Sequence, residues 1–139
     1  MSVVTKSFTI ETRGNTDVLD ITPQVAQAVE RSALQNGIAT VFISGSTGGI
    51  TTVEFEPGLR RDLPEIMEKL IPSGQRYHHD DTWHDGNGHA HLRSSLVGTS
   101  FTVPFVSRKL TLGTWQQIVF LDFDNQPRRR EILVQIIGE

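Results

Sequence analysis

A chain of 139 residues is an ordinary size for one domain and long enough to bury a core without metal or disulfide staples. It has no cysteine, which excludes disulfides and thiolate metal ligands, and its formal charge of -3 gives no support for a nucleic-acid binder. No window reaches the apolar length of a membrane span, and the opening MSVVTKSFTIETRG lacks the basic and apolar regions of a secretory signal. The expectation is therefore a single domain over residues 1–139, cytoplasmic, acting on a small molecule, with neither nucleic acid nor membrane as partner.

In chain order, Val4, Phe8 and Ile10 alternate with polar residues up to Glu11 and predict a half-buried first strand, with Lys6 the exception on its apolar face. Thr22 as cap, Pro23 at the first helical position, and Ile21, Val25, Ala28 and Val29 at helical spacing predict a helix that runs toward a stop at Gly37. The run IATVFIS that follows is apolar on both faces and predicts a strand covered on two sides. After the loop GSTGG, Pro57 and Gly58 open an amphipathic helix with Leu59, Leu63, Ile66, Met67 and Leu70 on its apolar stripe and Pro64 inside it. LRSSLVG reads as a short helix stopped at Gly98, and Phe101, Val103 and Phe105 as an edge strand. TWQQIVFLDFD and REILVQIIG, separated by Asn125, Gln126 and Pro127, read as an antiparallel hairpin. The sum is an α+β chain with mixed or antiparallel sheets and two or three helices.

All five histidines fall within residues 78–91. Imidazole is the commonest protein ligand of transition metals, so this crowding points to a metal or acid-base site; the same stretch can also be a polar surface loop whose histidines hydrogen-bond to neighbouring acids. If His89-Ala90-His91 is extended, both rings leave the same face and can converge on one ion, with His79 or His84 as third ligand and Asp80, Asp81 or Asp85 behind them. Ser46, Thr47 and Gly48 offer hydroxyls and backbone N–H groups to an oxyanion, and the same segment can be a plain turn because it lacks the lysine of a P-loop. Arg128 and Arg130 share a strand face and could clamp an anion. Glu54 stands beside the glycine loop as a candidate general base.

The run LVGTSFTVPFVSRKLTLGTWQQIVFLDFD, together with YHHD, the AHL of His91, TTVEFEP and Arg128 to Arg130, resembles the YjbQ-like family, with Leu112 to Gln116 the most specific part. The resemblance implies a β-sandwich-like α+β fold, a homotrimer with sites near subunit boundaries, and a histidine-lined pocket in which His79 and His91 hold a metal. Many members carry His-Thr-Thr or His-Thr-Ser where this chain has Gly45-Ser46-Thr47, so His89 is expected to replace the missing ring. That would give a triad of His79, His89 and His91 with one position open. The implied activity is thiamine-phosphate synthesis, joining a pyrimidine pyrophosphate to a thiazole phosphate with release of pyrophosphate. Zinc is the expected divalent ion, or magnesium with a pyrophosphate substrate, and His79, His91 and Glu54 the catalytic residues. Two other readings use the same residues: a metal-dependent hydrolase with Glu54 or Asp80 as base toward water, and a non-catalytic trimeric metal- or anion-binding module.

Overall fold

The computed structural model describes residues 1–139. In order along the chain are β1 (Ser2–Thr12), β2 (Asp17–Asp20), α1 (Thr22–Arg31), β3 (Gly37–Ile43), β4 (Gly48–Val53), α2 (Pro57–Leu70), α3 (His78–Trp83), α4 (Gly88–Val97), β5 (Ser100–Val106), β6 (Lys109–Leu110), β7 (Gln117–Asp122) and β8 (Arg128–Gly138). A five-stranded sheet runs β1-β8-β3-β5-β6, a three-stranded sheet runs β2-β7-β4, and every ladder is antiparallel. No helix is long and apolar enough to cross a membrane.

The sequence explains the layering through β7. Its run from Ile118 to Leu121 is apolar without alternation because both faces are covered. Ile118 and Phe120 point into the core between the sheets, against Val41, Phe105, Ile132 and Ile136. Val119, Leu121 and Phe123 point the other way, into a smaller cluster with Met67 of α2 and Ala90 of α4. The result is a large sheet, a small sheet and a helical layer. The expected hairpin of the last two long strands is overturned: β7 pairs with β2 and β4, whereas β8 pairs with β1 and β3. A strand buried on both faces belongs at the centre of the small sheet. The alternating β8, with Ile132, Val134 and Ile136 inward, suits a sheet that is dry on one side.

Several local readings hold with adjusted ends. α1 stops at Arg31 rather than at Gly37, because the Ser32 hydroxyl accepts from the Leu34 N–H at 3.2 Å and Ala33 turns left-handed (φ 65°). α2 runs through Pro64 and is capped by Glu56, whose carboxylate accepts from the N–H groups of Gly58 and Leu59. β3 corrects the expectation of two-sided burial. Ala39, Val41 and Ile43 are buried, but Ile38 and Phe42 on the opposite face are 42% and 39% exposed. β5 lies one strand in from the edge, since the two-residue β6 pairs beyond it.

Ile136 is fully buried in the strand that joins β1 to β3. Ile136→Ala is expected to lower stability by about 2–5 kcal/mol in urea denaturation. A loss under about 1 kcal/mol would mean that this strand is not central to the core.

Candidate metal centre

The histidine segment folds as two short helices, not as an extended strand. α3 begins after Tyr77, whose backbone N–H donates to the Asp80 carboxylate at 3.2 Å, and ends at His84 in the left-handed region (φ 55°). The turn through Gly86 (φ 65°) leads into α4, which stops at Gly98 (φ 94°). His89 and His91 therefore sit about 200° apart around a helix, not on one face of a strand. His89 is the buried one, 4% exposed, and its Nδ1 has no partner. Desolvation, aided by the charge of Arg93, pulls its pKa down and keeps the ring neutral. The expected triad of His79, His89 and His91 is corrected accordingly.

Asp85, rather than His89, clusters with His79 and His91. Ligand atoms of His79, Asp85 and His91 all lie within 4.8 Å of one another. The His79 and His91 rings are 4.3 Å apart between centroids, and His79 Nε2 is 3.3 Å from an Asp85 oxygen. Tetrahedral coordination at about 2.1 Å holds donors about 3.4 Å apart, so the His79–Asp85 pair already has the spacing of neighbouring ligands. Partial desolvation opposes ionisation of Asp85, but the Asn87 N–H and the His79 ring outweigh it and hold the carboxyl below its ordinary range. Two imidazoles and one carboxylate are a donor set that suits zinc or another divalent transition metal and leaves positions open. His78 and His84, the reserve ligands, are exposed and lie outside the cluster.

What holds these helices in place is a buried polar network at the end of β7. Asp122 (0% exposed) accepts from Arg130 at 2.8 and 2.9 Å and from the Thr12 hydroxyl at 2.6 Å. Asp124 (3% exposed) accepts from the Thr47 hydroxyl at 3.0 Å, the Asn87 amide at 3.2 Å and Arg128 at 3.3 Å. Asn87 immediately precedes α4, and its amide oxygen accepts from the Asn125 N–H at 3.1 Å. Burial works against the ionised Asp124, yet its hydrogen bonds from Arg128, Asn87 and Thr47 win and depress its pKa.

The expected anion clamp therefore looks inward. Arg130 and Arg128 are spent on Asp122 and Asp124, and the Thr47 hydroxyl lies between Asp124 and Arg130. Gly48 is glycine for packing, because a Cβ there would meet the Phe120 ring at 2.5 Å. Ser46 behaves differently: it lines a cleft of about 420 Å³ together with His91, Ser94, Ser95 and Thr99. Glu54 follows β4 and is not part of the histidine cluster, and Asp80 uses one oxygen at the start of α3 while the other has no partner. Sequence reasoning missed Asn87 and the Asp122–Asp124 pair as the support of the site. The i, i+2 spacing of those acids opposite Arg128 and Arg130 was the available signal.

The profile described as "UPF0047 protein YjbQ-like" matches residues 6–139. The chain belongs to the YjbQ-like (UPF0047) family. It is 42% identical over 130 residues to a UPF0047 protein of Archaeoglobus fulgidus, covering 94% of this chain and 98% of the relative. It is 39% identical over 133 residues to one of Methanocaldococcus jannaschii, covering 95% and 93%. Among solved structures, a YjbQ-like protein of unknown function from Sulfolobus solfataricus superposes with TM-score 0.93 at 33% identity, over 99% of both chains. A conserved uncharacterised protein of the family from Clostridium acetobutylicum gives 0.86 at 37%, over 95% of this chain and 99% of its own. The curled antiparallel sheets with four helices are thus the YjbQ-like fold, and the function of the family is unknown.

A carboxylate whose pKa is depressed on folding contributes stability that is complete above its ordinary pKa and is lost as pH falls through the depressed value. Wild-type stability is therefore expected to fall more steeply below about pH 4 than that of Asp124→Asn. Arg130→Met, which strands Asp122, is expected to lose about 3–5 kcal/mol at neutral pH. Equal acid sensitivity of wild type and Asp124→Asn in urea titrations would contradict the role given to the network.

Proposed function

We propose that this chain is a metal-assisted enzyme acting on a small phosphorylated or anionic metabolite, its ion held by His79, Asp85 and His91. The convergence of these three side chains beside the hydroxyl-lined cleft that His91 shares with Ser46 carries the reading. A divalent cation bound there would supply charge stabilisation for a developing anion. The chain's own residues supply the rest: Ser46 and Thr99 present hydroxyls to a bound oxyanion, and Asp85 orients His79 through their contact. Within this class, the family resemblance favours thiamine-phosphate synthase chemistry, with zinc, or magnesium on a pyrophosphate substrate. The hydrolase alternative has less support, because Glu54 lies outside the cluster and Asp80 holds the start of α3.

The proposed assembly is a homotrimer, and the open face of the five-stranded sheet supports self-association. Its three cross-strand rows read Val3, Ile137, Ile38 and Pro104; then Thr5, Gln135, Thr40 and Thr102; then Ser7, Leu133, Phe42 and Ser100. None of the twelve is charged. These three rows, with apolar side chains such as Val3 at 61% exposure, form an uncharged patch, and the charges of this face, Glu11, Arg129, Glu131 and Lys109, lie outside it at the ends of the strands. Thr99, which lines the His91 cleft, adjoins Ser100 on this face, so a neighbouring copy seated there would border the cleft. A trimeric binding module that does not turn over substrate, the second reading, would use the same face.

Metal analysis of purified protein tests the ligand set. Wild type is expected to retain about one ion per chain, His91→Ala to lose it, and His89→Gln to keep it; loss in His89→Gln with retention in His91→Ala would refute the assignment. Turnover of the two thiamine precursors that disappears in His91→Ala supports the enzyme, whereas bound metal without turnover favours the module. In light scattering after size exclusion, Phe42→Glu is expected to shift the assembly to monomer. An unchanged mass would place the interface elsewhere.

A further inference from the structure

The chain carries another cleft, of about 620 Å³, between the loop joining β1 to β2 and the first turns of α2. Arg13, Arg60 and Arg61 line it, and Asp17 is the one carboxylate among the lining residues. Asp17 is already committed, accepting from the Arg13 N–H at 2.9 Å and from its guanidinium at 3.2 Å. Arg60 and Arg61 form no ion pair. Instead Arg60 is steadied over the Phe55 ring, 4.6 Å from its centroid, which keeps the guanidinium's donors available at the cleft. Three guanidiniums line this cleft beside one carboxylate that Arg13 already engages, so Arg60 and Arg61 are left without an ion pair, while Glu11 and Asp20 belong to the adjoining cleft that Arg13 and Arg60 also line.

The loop on the other wall is held in an unusual shape. Gly14, Asn15 and Thr16 are consecutive left-handed residues (φ 75°, 54° and 63°), and that conformation is uncommon for a β-branched side chain such as Thr16. The surroundings enforce it. The Asn15 N–H donates to the Asp124 carbonyl at 2.7 Å, a Cβ on Gly14 would meet that carbonyl at 2.6 Å, and the buried Arg93 donates to the Thr16 hydroxyl at 3.0 Å. A strained backbone fixed from three directions, facing unpaired guanidiniums, has the features of a preorganised binding wall.

We propose that this cleft is a second site, distinct from the histidine cluster, that binds the phosphoryl group of a small metabolite or free phosphate through Arg13, Arg60 and Arg61. Two unpaired planar guanidiniums match phosphate oxygens with paired N–H donors, and Asn15 adds an amide at the rim. The inference does not depend on the metal reading, because no residue is shared between the two sites.

Calorimetric titration with inorganic phosphate, and in parallel with glycerol phosphate, tests it on wild type, Arg60→Gln/Arg61→Gln, Lys69→Gln and His91→Ala. All three arginines are exposed, so the double variant is expected to fold as wild type does. Affinity is expected to fall by roughly tenfold or more in the double variant and to be unchanged in Lys69→Gln, which removes one charge from the same helix, and in His91→Ala. The tighter of the two probes distinguishes a free anion from a phosphate ester. No binding to wild type, equal affinity in the double variant, or loss in His91→Ala of the same binding that the double variant loses would each overturn the assignment, the last by placing that anion at the histidine cluster.

Discussion

The two carboxylates at the end of β7, Asp122 and Asp124, are the constraint on which the rest of the site depends. Carboxylates this dry are tolerated only when paired and hydrogen-bonded, and the partners come from four other parts of the chain. Thr12 closes β1, Thr47 sits in the glycine loop, Asn87 starts α4, and Arg128 and Arg130 open β8. Satisfying two acids therefore fixes the relative positions of five segments. Through Asn87 that order reaches the turn between α3 and α4, where Asp85 meets His79 and His91.

The same geometry explains why one histidine packs and another faces outward. In α4 the side chains of His89 and His91 leave opposite sides of the helix, so the helix cannot offer both to one ion. His89 is buried, its pKa lowered by its dry surroundings, while His91 looks into the cleft shared with Ser46. Arg93, one turn on from His89, spans from Glu68 and the Ile71 carbonyl to Thr16, tying α4 to α2 and to the arginine-lined cleft. The two candidate sites are thus separate in composition but share a rigid support.

Much of the architecture was legible because it rests on local periodicity. β1, α1, the span of α2 and β5 were readable from spacing, Pro23 and Gly98, but of the stripe expected on α2 only Met67 is buried, and Ile66 and Leu70 are 44% and 59% exposed. Pairing was not, since a three-residue link between β7 and β8 fits a hairpin and only the long-range cover of β7 forbids one. The unbroken apolar run of Ile118 to Leu121, set against the alternation of β8, was the clue that the two strands serve different layers. In β3 the pattern misled in the other direction: Ile38 and Phe42 suggested a second covering layer that a single chain does not provide. At the site, the crowding of histidines pointed to the right segment, but an extended His89-Ala90-His91 presupposed the ligation it was meant to explain. Ala90, Leu92 and the stop at Gly98 favour the helix. The arginines opposite Asp122 and Asp124 were read as free because strand spacing shows which face a side chain takes and not what already waits there.

The central claim is that the folded chain brings His79, Asp85 and His91 around one point while excluding His89. Anomalous diffraction at the zinc edge, on crystals grown with zinc, tests it most directly. One strong peak in contact with those three side chains is the expected result. A peak on the His89 ring, or none near His79 and His91, would contradict the account.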